Sequence, residues 1–250
     1  MNKERNEMSI KLNKAAKEFL LYSYFGITAE DLNDEFIITI CAQRAYLDLS
    51  RTLTFKPKFK DVKVNGKVVE NKLAERKKFK DEICKIIKDG VWDLIKSSPG
   101  DYDIDHDSLC KQLKEASEKY CEYEVNKNTK NDGITYGQAQ KWLNMTIKYM
   151  WLLGIWESDF KNLIEVIHVP VDSYIIEAVW EYKSVDLPLK EKSNRKYHYT
   201  NPSEYVKAWS QWNEDDYTNF QKSLREHLDV PPIEWEGPAW IEIAKERNKQ

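Results

Sequence analysis

The stretch GITYGQAQKWLNMTIKYMWLLG, running from Gly133 to Gly154, decides the fold class. Thr135 followed three residues later by Gln138 has the form of a capping box, so a helix is predicted to start there. From Ala139 onward, Trp142, Leu143, Met145, Ile147, Tyr149, Met150, Leu152 and Leu153 place apolar groups nearly all round the helix. At about 100° per residue, one narrow arc stays polar, carrying Gly137, Lys141, Asn144 and Lys148. A helix of this kind belongs in a core, and its polar arc must face a cleft or solvent. Downstream, HVPVDSYIIEAVW contains Pro170-Val171-Asp172, which ends one segment and puts Asp172 at the N-cap of another helix.

A lysine in the first turns of a buried helix and an aspartate at a helix N-terminus form a chemically useful pair. Burial disfavours the ammonium and favours a nucleophilic amine, while the positive end of a helix keeps a carboxylate ionised. The plain readings are a solvated lysine and an ordinary helix cap.

The segment resembles the helix-hairpin-helix-GPD superfamily of DNA glycosylases, most nearly the archaeal 8-oxoguanine DNA glycosylases. In these a lysine helix follows a glycine-containing turn, and a Pro-Val-Asp supplies the catalytic aspartate about thirty residues on. A second lysine stands seven residues after the first, as Lys148 follows Lys141. The Gly-x-Gly-x-Lys turn of many relatives is not present, since Gly137 lies four residues before Lys141. The resemblance covers about a fifth of the chain. It implies a mainly α fold of two interleaved helical subdomains with a cleft between them, 1–55 packing with 183–250, and 70–182 carrying the lysine helix. It further implies Lys141 as the Schiff-base nucleophile and Asp172 as its carboxylate partner, with no cofactor and no metal. A flipped modified nucleotide of DNA would be the substrate, 8-oxoguanine the implied base, and the protein a monomer. Thr135, Gly137 and Gln138 would then offer backbone N–H groups to a phosphate, and Asn144 and Lys148 would line the pocket. The competing expectation is a non-catalytic helical protein that binds protein or nucleic acid.

Composition sets further bounds. The 250 residues carry 32% charged side chains, and the mean hydropathy is −0.71. No apolar run approaches the ~18 residues of a membrane span. The opening MNKERNEMSIKLNK has no signal-like apolar region, so a cytoplasmic protein is expected. Cys41, Cys84, Cys110 and Cys121 are far apart without a CxxC, which predicts buried reduced thiols. The net charge of −3 runs against a broad basic footprint for nucleic acid. His106, His168, His198 and His227 show no HExxH spacing.

The rest of the chain reads as helices with one small β-hairpin near 60–70. Helices are predicted over 8–25, 29–53, 72–96 (broken near Gly90), 108–123, 159–166, 173–182, 217–228 and 238–246. Another is expected to begin at Pro202 and to hold Tyr205, Trp209 and Trp212 on one side. Asn65-Gly66 between alternating valines marks the hairpin, whose Lys56, Lys58, Lys60, Lys63 and Lys67 form the densest basic patch. Arg44, Asp48 and Arg51 make a polar ladder, either a surface ion-pair row or a phosphate contact near a cleft. Asp107 or Ser108 is expected to cap the helix that follows the alternating aspartates. Residues 126–132 read as a polar loop. Of the nine tryptophans, one or two are expected to line a pocket.

Overall fold

The structure is a computed structural model and describes residues 15–16, 18–33, 36–126, 129–154, 157–190 and 202–249. Its centre is helix α5 (Tyr136–Leu152), in which almost every residue up to Met150 is buried. The capping box forms as read: Gln138 N–H donates to Thr135 Oγ1 at 3.0 Å, and Thr135 N–H donates to Gln138 Oε1 at 2.9 Å. After α5 the chain turns through Gly154 in the left-handed region, φ 69°. Trp142 is fully buried, and its indole N–H donates to the Ala42 carbonyl at 2.8 Å. That bond ties α5 to α2 (Phe36–Leu49), whose buried face carries the small residues Cys41, Ala42 and Ala45 between Ile37 and Leu49. Short 3-10 turns over Ala29–Asn33 and Ser50–Thr52 flank α2, so the helix expected over 29–53 is three elements. The part of the first predicted helix before residue 15 lies outside the described residues; residues 18–25 are helical (α1).

Helix α3 (Leu73–Leu94) runs unbroken through Gly90. A Cβ there would lie 2.5 Å from Leu109 Cδ1, so this glycine serves a close helix contact rather than a break. The partner helix α4 (Tyr102–Ser117) starts earlier than expected, at the Asp101 position, where Ser98 Oγ donates to Asp101 Oδ2 at 2.7 Å. Asp103, Asp105 and Asp107 are therefore helical residues.

The predicted hairpin is β1 (Val62–Val64) with β2 (Lys67–Glu70), antiparallel about Asn65-Gly66, both at positive φ. A second hairpin, β3 (Glu122–Asn126) with β4 (Thr129–Asp132), replaces the expected loop. It changes the meaning of the lysine patch, because Lys56 pairs with Asp132 at 2.8 Å and Lys60 with Glu122 at 3.0 Å.

Four further helices follow: α6 (Glu157–Leu163), α7 (Ser173–Ala178), α8 (Glu214–His227) and α9 (Pro232–Arg247). The last starts at Pro232 and continues through Pro238, six residues earlier than read. No long helix begins at Pro202. Instead, 3-10 turns cover Pro202–Glu204 and Trp209–Gln211, and the second sits on the start of α5. The buried residues form one cluster that runs from Ile37 to Ile233. Within it α2 packs chiefly on α5, and α9 on α7. The fold is thus mainly helical. All four cysteines are free and buried, and among the described residues no helix is long and apolar enough to cross a membrane.

Candidate active site

A cavity of about 1020 Å³ opens between α1, the end of α2, α5, α7 and α9. At one side stands the predicted pair. Lys141 Nζ donates to Asp172 Oδ2 at 3.0 Å and to the Pro170 carbonyl at 3.4 Å. The Lys141 side chain is only 4% exposed, that of Asp172 19%.

Asp172 is fixed from three directions. It caps α7, its Oδ1 accepting the N–H groups of Tyr174 and Ile175 at 2.9 and 3.0 Å. Its Oδ2 accepts from Lys141 and from the Trp240 indole N–H at 3.3 Å. Burial pushes its carboxyl up, but the Lys141 charge and the two backbone donors outweigh burial and hold it below the usual aspartate range. The result is an ionised carboxylate beside an amine.

The segment that delivers Asp172 is pinned to α5 by a buried polar network. Gln221 brackets Val169, accepting its N–H at 3.2 Å and donating to its carbonyl at 2.7 Å. Asn144 Nδ2 donates to the Tyr217 hydroxyl at 2.7 Å and to the Val169 carbonyl at 3.3 Å. Its Oδ1 is then the acceptor for His106 Nε2–H at 2.7 Å. Having taken the Asn144 proton, Tyr217 donates its own to His168 Nδ1 at 2.8 Å. The other nitrogen of His168 donates to Asp103 at 2.8 Å, and Arg225 also pairs with that carboxylate.

This network sets a pH limit on the fold. Burial, with His168 alongside, pushes the His106 imidazole down to about 3, and burial lowers His168 as well. Both are neutral when folded at pH 7, whereas an unfolded histidine titrates near ~6.5. Their stabilising contribution is complete above that value and is lost as pH falls below it, because only the unfolded chain takes up the protons. Between that value and about 3, His106 is expected to lower stability by about 1.4 kcal/mol for each unit that the pH falls, and His168 acts in the same direction. Urea unfolding at pH 7 and pH 4.5 measures the slope, and His106→Gln, which keeps an N–H for Asn144, should flatten it.

Not every predicted site residue reaches the cavity. Lys148 does, and it forms an ion pair with Glu236 of α9, which is 1% exposed. Asn144 does not: it is buried in the network above, so its role as a pocket-wall residue is corrected to one of support. Thr135, Gly137 and Gln138 are corrected too. Thr135 Oγ1 donates to the Ser210 carbonyl at 2.8 Å and Gln138 Nε2 to the Thr52 carbonyl at 2.7 Å. Gly137 N–H donates to the Trp212 carbonyl at 3.0 Å. The helix N-terminus is therefore covered by protein and presents none of these groups to a phosphate.

The wall that α5 gives to the cavity is Lys141, Met145, Lys148, Tyr149 and Leu152. Its centre is turned by roughly 50° from the polar arc, at about 100° per residue. Opposite stand Asp48 and Arg51, so the polar ladder of α2 is a cavity rim. Asp48 accepts the Tyr149 hydroxyl at 2.7 Å, and Arg44 lies 3.8 Å over the Tyr24 ring. Beside the amine–carboxylate pair, Tyr174 and Trp240 stack with centroids 4.5 Å apart, and Arg247 covers the far face of Tyr174 at 4.0 Å. Trp209 also lines the space. Sequence reasoning missed Trp240, Glu236, Tyr174 and Trp209 as individual site residues. The tryptophan count was the one signal that pointed toward them.

No family model, no curated protein and no solved structure matches this chain.

Proposed function

We propose that the protein is a DNA base-excision glycosylase with an associated abasic-site lyase activity, arranged as the helix-hairpin-helix-GPD resemblance implies and acting as a cytoplasmic monomer. The observation that carries this reading is the Lys141–Asp172 pair, 3.0 Å apart at the edge of an aromatic-walled cavity. A nucleotide swung out of the DNA stack would place its base against Trp240. Lys141, having given up a proton through Asp172 to water, attacks C1′ with its amine lone pair. The C1′–N bond breaks with its electrons leaving on the base, which takes up a proton. The secondary ammonium so formed passes a proton to O4′ as its freed lone pair expels that oxygen, and a lysine–C1′ iminium remains. Loss of a C2′ proton and departure of the 3′-phosphate cut the strand. Water hydrolyses the iminium and returns the free amine. Asp172, held ionised, suits the stabilisation of positive charge on the sugar.

The alternative, a non-catalytic helical binding protein, is favoured by the net charge of −3 and by the ion pair that already engages Lys141. Borohydride separates the two. With DNA carrying an abasic site or 8-oxoguanine, reduction is expected to leave a covalent protein–DNA adduct whose modified peptide contains Lys141. Absence of an adduct across oxidised, alkylated, deaminated and abasic substrates would leave the binding protein.

A further inference from the structure

The cavity is much longer than the pair at its end requires. Along α5, Lys141 and Leu152 line the same space eleven positions apart, which is about 16 Å of helix axis. An unsubstituted purine spans little more than one helical turn, ~5.4 Å. The volume of about 1020 Å³ is at the top of the ~300–1,000 Å³ range of pockets that enclose drug-sized ligands.

The space is also zoned. Next to Lys141 and Asp172 lie the stacked Tyr174 and Trp240. One turn to two turns on come the Lys148–Glu236 pair and the Asp48 carboxylate. The far end is apolar and open: Leu20, Leu47 and Leu152 line it with 62%, 57% and 58% of their surface exposed. Exposed leucines grouped in a concavity continuous with a reactive amine mark a ligand surface rather than scattered surface residues.

We infer, on the basis of the glycosylase reading, that the substrate is a base carrying an extended substituent. Its ring would stack on Trp240, the polar part of the substituent would meet Lys148 and Glu236, and its end would cover Leu20, Leu47 and Leu152. A compact oxidised base leaves two thirds of the α5 wall untouched. Binding energy from the remote end of the substituent would be available to orient C1′ against the amine.

The test uses the full chain with oligonucleotides carrying guanine, 8-oxoguanine, O6-benzylguanine, a pyrimidine with a C5-linked hydroxylated chain of about six heavy atoms (a little over one helical turn in reach), or an abasic site. At least one of the two extended bases should be released with kcat/KM tenfold or more above 8-oxoguanine. Leu152→Trp fills the far end from an exposed position, so the fold is kept. It should erase that preference while the urea midpoint, which reads the fold, is unchanged. Equal or faster release of 8-oxoguanine, or a preference that survives Leu152→Trp, overturns the inference and leaves the glycosylase reading standing. No abasic adduct in the unaltered protein removes both.

Discussion

Lys141→Gln yields no reducible DNA adduct and incises an abasic strand roughly 10³-fold more slowly or worse, the scale expected when a nucleophile is removed. Glutamine keeps most of the side-chain volume and a donor for Asp172, so the fold should persist and the loss is chemical. Asp172→Asn is expected to differ in kind. The asparagine oxygen still caps α7, because Asn is as good a cap as Asp, and the adduct still forms, but about 10²-fold more slowly. It also leaves the Lys141 ammonium, 4% exposed, without its counter-charge, at a cost of about 3 kcal/mol. The two variants therefore separate nucleophile from partner: one abolishes the adduct, the other slows it. Incision by Lys141→Gln at the rate of the unaltered protein would end the proposal.

Gly137→Ala is the second large effect, and it concerns folding. A Cβ at Gly137 would lie 2.0 Å from the Trp209 carbonyl oxygen and 3.1 Å from its carbon. These are backbone atoms, held in turn by the Gly137 N–H bond to Trp212, so no rotamer change relieves the clash. Overpacking of this kind costs about 3 kcal/mol or more, read as a fall in the urea midpoint. Gly237→Ala is the control. It lies inside α9 with nothing within 4 Å of its Cβ, and alanine there should stabilise by about 0.5–1 kcal/mol through helix propensity alone. Similar effects from both substitutions would mean that the 209–212 turn does not press on α5.

Local signals carried the sequence reading where they sufficed. The Thr135–Gln138 box and the Asp172 cap are bonds between near neighbours, and Asn65-Gly66 needs only its own backbone. The pairing of amine and carboxylate came instead from the resemblance to the lysine-helix glycosylases. Contacts between distant segments were not legible. Glu236 meets Lys148 and Trp240 meets Asp172 only because α9 docks on α7, and no spacing records that docking. Gly90 reads as a break because its propensity is poor, and Pro238 as a helix start because proline suits the first turn; both lie inside longer helices. The second hairpin was missed because β4 is wholly polar and β3 offers only one short alternation, Glu122-Tyr123-Glu124-Val125, at the end of a helical pattern. The cavity wall was misjudged by half a quadrant because Met145 and Leu152 count as core in any hydrophobic pattern, yet here they face a hollow.

Helix α9 supplies Glu236 and Trp240 to this hollow and is clamped in place by Arg247, which pairs with Glu177 and reaches Ser173. A ribosome delivers those residues after every other wall is already made. The crevice is accordingly finished last, and a nascent or clipped chain that has lost α9 holds Lys148 without Glu236 and Asp172 without the Trp240 indole.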